Sequence, residues 1–325
     1  MTNAKVLLIA DFMEEAGLRI LRQREDVELV MYPPSIAPAD FRALLANASG
    51  VALSYTPLRR AEIAASPKLE VAARLGVGFD AVDVPALTER RIPLMVVGTA
   101  NATSVAEHAV FLMMALAKRA LEMDRRMRDG VWHERRSGLP VEMAGATALV
   151  VGFGRIGTRT APRCAAFGMH VLVHDPYVPA EAISAAGFEP AADLDAALAR
   201  ADYLTIHCPR NTETIGLFGA ARLARMKRGA FLVNTARGGI VDEPALHAAL
   251  KSGHLGGAGL DVLENEPVGP GHPLVQLPSV ISSPHIAGVT VQSMAGMAAA
   301  TARNLLSVLD GAPIRENVVN AEVLG

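Results

Sequence analysis

A glycine-rich turn constrains this chain more than any other stretch. The apolar run Ala148-Leu149-Val150-Val151 leads straight into Gly152-Phe153-Gly154-Arg155-Ile156-Gly157, a G-x-G-x-x-G pattern. The spacing alone is weak. Between a strand and a segment of helical spacing it is specific, because each glycine then has a task. Gly152 permits the tight turn, Gly154 lets a pyrophosphate approach the backbone, and Gly157 lets helix and strand pack closely. Free N–H groups and the positive helix end at Arg155 and Ile156 favour phosphate charge. The next apolar run, Met169 to His174, ends at Asp175, 23 residues after Gly152. A carboxylate there accepts hydrogen bonds from the adenosine ribose and repels the extra phosphate of NADP. Pro176 and Tyr177 follow it, not an arginine. These residues predict a Rossmann-type site that takes NAD in preference to NADP. Pro162 lies inside the helix expected over 155–167. An interior proline removes a hydrogen bond at a cost of about 3 kcal/mol, which predicts a kink.

Strand and helix patterns alternate along most of the chain. Short Val/Leu/Ile-rich runs stand at 5–10, 27–32, 50–55, 69–75 and 92–97. Helical spacing falls between them at Glu14–Arg24, Ala39–Ala46, Arg59–Ala65 and Val84–Arg90. One long helix is expected over 103–128, ended by Gly130 and followed by Trp132, and its length suits a bridge between two domains. A second alternation has strands at 146–151, 169–174, 201–207, 230–235, 256–262 and 279–283, with helices at 155–167, 193–200, 220–226 and 242–252. A last helix is expected over Thr290–Leu309. Continuous apolar strands alternating with helices imply parallel sheets covered on both faces. The fold class is therefore α/β with two doubly wound parallel-sheet domains.

Bulk properties exclude several function classes. A chain of 325 residues suits two domains, and its hydrophobic fraction of 51% supplies their cores. The net charge of −2 gives no basic footprint for nucleic acid. The short apolar run Val6–Ala10 is too brief for a secretory signal, and no apolar stretch is long enough to span a membrane. Two cysteines, Cys164 and Cys208, make neither a disulfide framework nor a metal-ligand spacing, so no metal is expected. A reducing, cytoplasmic setting is the expectation.

Three polar residues follow three late strands: Arg237, Glu266 and His285. Ligands of open α/β sheets bind beyond the carboxyl ends of strands, so the three can converge beside a nicotinamide. Arginine offers a planar fork for carboxylate, histidine exchanges protons near neutrality, and a neighbouring carboxylate favours the imidazolium. Spacing alone does not prove this trio. Nine histidines are present, and His108, His133, His170, His174, His207, His247, His254 and His272 read as structural, with His207 placed near the cofactor. Arg237 alone reads equally as a surface charge, and Glu266 as a solvated loop acid.

From about residue 50 to 320 the chain resembles the D-isomer-specific 2-hydroxyacid dehydrogenases, near their phosphoglycerate dehydrogenase and hydroxypyruvate/glyoxylate reductase branch. Five stretches carry the likeness: Arg74–Asp83, Gly152–Gly157, Val233–Asp242, Leu260–Pro267 and Ser283–Gly288. The resemblance implies a Rossmann NAD-binding domain over 100–285, inserted in a flavodoxin-like substrate domain made of 1–99 plus 286–325. The helices near 103–128 and 290–309 would act as the hinge. It implies hydride transfer at C2 of a small 2-hydroxy acid, with Arg237, Glu266 and His285 catalytic and His285 the general acid and base. Val77, Gly78 and Arg237 would bind substrate, the first two through backbone N–H groups. Thr103 would reach the cofactor phosphates, and Cys208, Pro209, Thr235, Ala236, Asp261, His285 and Gly288 would border the nucleotide. Homodimers through the cofactor domain, near Trp132, are also implied.

One departure bears on the substrate. Phosphoglycerate dehydrogenases carry an arginine after the third strand, where this chain reads Val51-Ala-Leu-Ser-Tyr-Thr-Pro-Leu58 and Ser54 takes its place. Missing that cation, and ending at Gly325 without an appended regulatory domain, the chain is expected to take an unphosphorylated acid such as glyoxylate or hydroxypyruvate. Tyr55 and Phe79 would suit a larger side chain. D-3-phosphoglycerate dehydrogenase is the nearest rival, and a phosphite oxidoreductase a remoter one. An NAD(H)-sensing interaction protein without turnover is the rival from another class.

Overall fold

The structure, a computed structural model, describes residues 4–325. They form two compact units, residues 4–101 with Val289–Gly325, and Ala102–Gly288. The boundaries expected from sequence, at 99/100 and 285/286, lie two to three residues away.

In the first unit, five parallel strands are β1 (Lys5–Ala10), β2 (Val27–Tyr32), β3 (Gly50–Leu53), β4 (Val71–Arg74) and β5 (Leu94–Met95). Their order is β2-β1-β3-β4-β5, the flavodoxin-like arrangement. Both faces are covered, which is why these strands are apolar without alternation. Leu8, Phe41, Leu45, Val51 and Leu87 fill one face. Leu7, Ile9, Ala52 and Val71 fill the other, together with Ala298, Ala302 and Leu305 from the helix Val291–Leu309. That helix crosses Glu15–Arg22 closely because Gly17 has no side chain; a Cβ there would meet the Ala298 carbonyl oxygen at 2.5 Å.

The second unit has seven parallel strands: β6 (Thr147–Val151), β7 (His170–His174), β8 (Glu189–Pro190), β9 (Tyr203–Ile206), β10 (Phe231–Asn234), β11 (Gly257–Leu260) and β12 (Val280–Ser282). Their order, β12-β11-β10-β9-β6-β7-β8, places the topological switch between β6 and β9. The glycine turn leaves β6 at that switch. Asp175, His207, Arg237, Asp261 and His285 follow β7, β9, β10, β11 and β12 in turn, all at carboxyl ends.

The expected single helix over 103–128 is corrected to two, Ala102–Ala117 and Ala120–Arg128. Arg119 between them is left-handed, with φ of 50°. The first segment buries Ala109, Leu112, Met113 and Leu116, whereas the second buries nothing. With no apolar stripe to hold it in line, the second follows the turn at Arg119, whose Nε donates to Glu122 at 2.7 Å. Both helices lie inside the second unit. The helix Gly157–Ala166 runs as one element through Pro162. No described helix is long and apolar enough to cross a membrane.

Candidate active site

The glycine turn is built by close approach. A Cβ on Gly157 would stand 1.9 Å from the Gly152 carbonyl oxygen, and one on Gly152 would stand 2.6 Å from Cys208 N. Gly152 also has φ of 94°, a conformation that side chains disfavour. Gly154 differs: nothing lies within 4 Å of its Cβ position, so its backbone faces open space. The helix that starts at Gly157 has no side-chain cap, and the positive end of its dipole faces the turn and favours an anion there. Asp175 braces the turn, its carboxylate accepting from Phe153 N at 2.7 Å and Tyr177 N at 2.9 Å. Each oxygen keeps a lone pair for a ribose hydroxyl. Open backbone, uncapped helix and oriented carboxylate fit a dinucleotide.

His207 closes the near side, its N–H bonded to Val151 O at 2.7 Å and its Nε2 2.9 Å from Thr205 Oγ1. Burial pushes its imidazole down to about 3, so the ring is neutral. Burial raises the Cys208 thiol to about 11, which keeps it protonated. Pro209 beside it is exposed, and Thr103 is exposed in the first turn of Ala102–Ala117.

Arg237, Glu266 and His285 belong to this same unit. Glu266 Oε2 lies 2.7 Å from His285 Nδ1, and Oε1 accepts from Leu263 N at 3.0 Å. The Glu266 hydrogen bond is the main cause that raises His285; burial and Arg237 oppose it. Glu266 itself is lowered: burial works against this, and its bonds to His285 and Leu263 N, with the charge of Arg237, outweigh it. With Nδ1 held by Glu266, Nε2 is the ring atom left to exchange a proton. The charge of Arg237 acts on the pair, and Gly238 next to it lets the Arg237 loop approach the loop after β11; a Cβ there would meet Leu263 O at 2.0 Å. Asn234, 2% exposed, fixes that turn by accepting from Ala236 N and donating to Arg237 O.

His285 has φ of 55°. A left-handed residue with a side chain costs about 1–2 kcal/mol. Asp261 offsets this cost. Its carbonyl accepts from His285 N at 2.9 Å, and its carboxylate accepts from Ile286 N and Ala287 N, each at 2.9 Å. Asp261 is 2% exposed, so it acts from beneath the turn. Thr235 and Ala236 are buried after β10, and Gly288 is partly buried at the end of the His285 turn.

Val77 and Gly78 lie in the other unit, on the loop after β4, where Arg74 Nε donates to Gly78 O at 2.7 Å. Ser54 follows β3 in that unit, and Tyr55 beside it is 65% exposed. Asn234 and Gly238 had no separate role in the sequence reading, although both stand inside the Val233–Asp242 stretch. Their signal was there, an amide and a glycine flanking Arg237, but the contacts that give them work are non-local.

Residues 110–287 match the family model described as the NAD-binding domain of D-isomer-specific 2-hydroxyacid dehydrogenase. The chain belongs to that family. A D-3-phosphoglycerate dehydrogenase from Archaeoglobus fulgidus is 41% identical over 270 residues, 83% of this chain and 51% of that protein. This chain thus spans about half the length of that relative. The TT0316 protein from Thermus thermophilus superposes with a TM-score of 0.86 at 34% identity, covering 97% of this chain and 99% of that one. A glyoxylate reductase from Paecilomyes thermophila gives a TM-score of 0.87 at 30% identity, covering 98% and 99%. Solved relatives thus share the fold of this family member over 97–98% of its residues.

Proposed function

We propose that this chain is an NAD-dependent D-2-hydroxyacid dehydrogenase, with His285 as general acid and base. One observation carries the reading: the Glu266–His285 pair at 2.7 Å, in the unit that holds the dinucleotide turn. Bound NADH supplies the hydride that C2 of the keto acid receives. His285 Nε2 gives the carbonyl oxygen its proton, and in the reverse direction takes the hydroxyl proton back. Glu266 orients the ring and stabilises its charged form. Arg237 polarises the carbonyl and holds the neighbouring carboxylate.

The substrate we propose is a small unphosphorylated 2-keto acid of the glyoxylate or hydroxypyruvate kind, because Ser54 follows β3 where phosphoglycerate dehydrogenases carry an arginine, and the next cations, Arg59 and Arg60, read as solvated helix charges, Arg60 being paired with Glu89. D-3-phosphoglycerate is the second reading, favoured by the name of the Archaeoglobus relative. We assign NAD over NADP on Asp175. A homodimer is proposed on the exposed apolar side chains Leu121, Met127, Trp132, Leu139 and Val141 of the second unit. Two free cysteines suit a reducing cytoplasm. The deciding experiment offers purified protein NADH or NADPH with glyoxylate, hydroxypyruvate, pyruvate and phosphohydroxypyruvate and follows absorbance. Turnover confined to phosphohydroxypyruvate would replace the first substrate reading by the second. NADH binding without any turnover would overturn the enzyme.

A further inference from the structure

A second histidine is joined to the His285 turn by a chain of hydrogen bonds. His108, on the helix Ala102–Ala117, places Nε2 2.9 Å from Ser283 Oγ. Ser283 Oγ lies 2.6 Å from Asp261 Oδ1. The same Oδ1 accepts from Ile286 N, and Oδ2 accepts from Ala287 N. Counting hydrogens fixes every direction. A carboxylate has no hydrogen to give, so Ser283 donates to Asp261. A hydroxyl has one hydrogen, so His108 must donate to Ser283, and its proton sits on Nε2.

We propose that Ser283, held from behind by His108, is a positioning residue for His285. The proposal rests on the reading of His285 as the proton carrier. Asp261 is buried, and a buried carboxylate turns toward whatever donors surround it. Ser283 supplies one of them at the correct angle. Without its hydroxyl, Oδ1 keeps Ile286 N and faces His108 Nε2, now 3.8 Å away. Rotation toward His108 pulls the carboxylate off Ile286 N and Ala287 N. The left-handed turn then relaxes, and the imidazole drifts from Glu266. The charged groups facing His285 are Glu266 from the loop after β11, Arg237 from the loop after β10, and Asp261 beneath it.

The test uses the full chain with isotope-labelled histidine, and reads the His285 titration by NMR alongside NADH affinity and steady-state rates. In Ser283→Ala, His285 should titrate nearer the ordinary imidazole value. Its kcat should fall by about ten- to a hundred-fold, the scale of a misplaced reacting group, with NADH affinity unchanged. Ser283→Thr restores a hydroxyl and should recover both properties. His108→Gln keeps an N–H donor and should stay near wild type, whereas His108→Ala should move in the direction of Ser283→Ala. This second pair decides the matter if Ser283→Ala does not fold. An unchanged His285 titration in Ser283→Ala, or no recovery in Ser283→Thr, overturns the proposal. If the wild-type chain turns over no keto acid, the dehydrogenase reading fails, and the titration still decides whether Ser283 positions His285.

Discussion

Glu266 is engaged at both carboxylate oxygens, by Leu263 N and by His285 Nδ1, so its charge cannot swing away from the ring. The pH behaviour of the reaction follows from that contact. Reduction needs the protonated imidazole, and oxidation the neutral one. Because Glu266 raises His285, reduction persists to higher pH than a free histidine would allow. Glu266→Gln removes the charge and keeps the shape. The falling limb of the reduction profile should therefore move to lower pH, and oxidation should begin at lower pH. Profiles of kcat/KM in both directions check this, and an unmoved limb would remove Glu266 from the proton chemistry. Arg237→Lys keeps the charge and loses the fork. It should leave the limb in place while kcat/KM for the keto acid drops by about ten- to a hundred-fold, the worth of one charged hydrogen bond at about 1.5–3 kcal/mol.

The strand-to-helix turn after β6 separates two glycines by what they face. Gly157→Ala drives a methyl into the Gly152 carbonyl, so it should destabilise the fold by about 1–3 kcal/mol, read from denaturant midpoints. Gly154→Ala meets nothing in the protein, so stability should hold while NADH binding weakens. Equal losses of stability in both variants would deny Gly154 its role toward the pyrophosphate. The turn was readable in the sequence because it is local: a strand, six residues and a helix specify it. The apolar strands were readable for the same reason. Elements that lack a local signature were not. β8 is two residues long, and the helix Ala180–Ala185 buries only Ile183. The break at Arg119 follows from packing, since the sequence keeps helical spacing across it. Within the site, Arg237, Glu266 and His285 could be named from their motifs. The carboxylate of Asp261 beneath His285, the Ser283–His108 link and the Gly238 approach are contacts between segments distant in the chain, and only folding brings them together.

For the whole molecule, the proposed cofactor site lies within one unit, and unfolding should report it. NADH at 100 times its Kd adds about 2.7 kcal/mol to whatever unfolds with the site. Calorimetry should therefore show NADH raising the transition that belongs to Ala102–Gly288. A scan unaffected by NADH would contradict the glycine-turn assignment. The two units also differ in how they are threaded. The second is continuous in sequence, while the first needs Ala298, Ala302 and Leu305 to complete one face of its sheet. A chain emerging from the ribosome exposes its amino end first, and domains usually become structured in that order. Here the order must reverse. When Gly288 has emerged, the cofactor unit holds every residue of its own core, while Leu7, Ile9 and Val71 still wait for the helix Val291–Leu309. The first unit, although it begins earlier in the chain than the second, is thus finished after it, and through that interval its bare sheet face is the surface a chaperone would find.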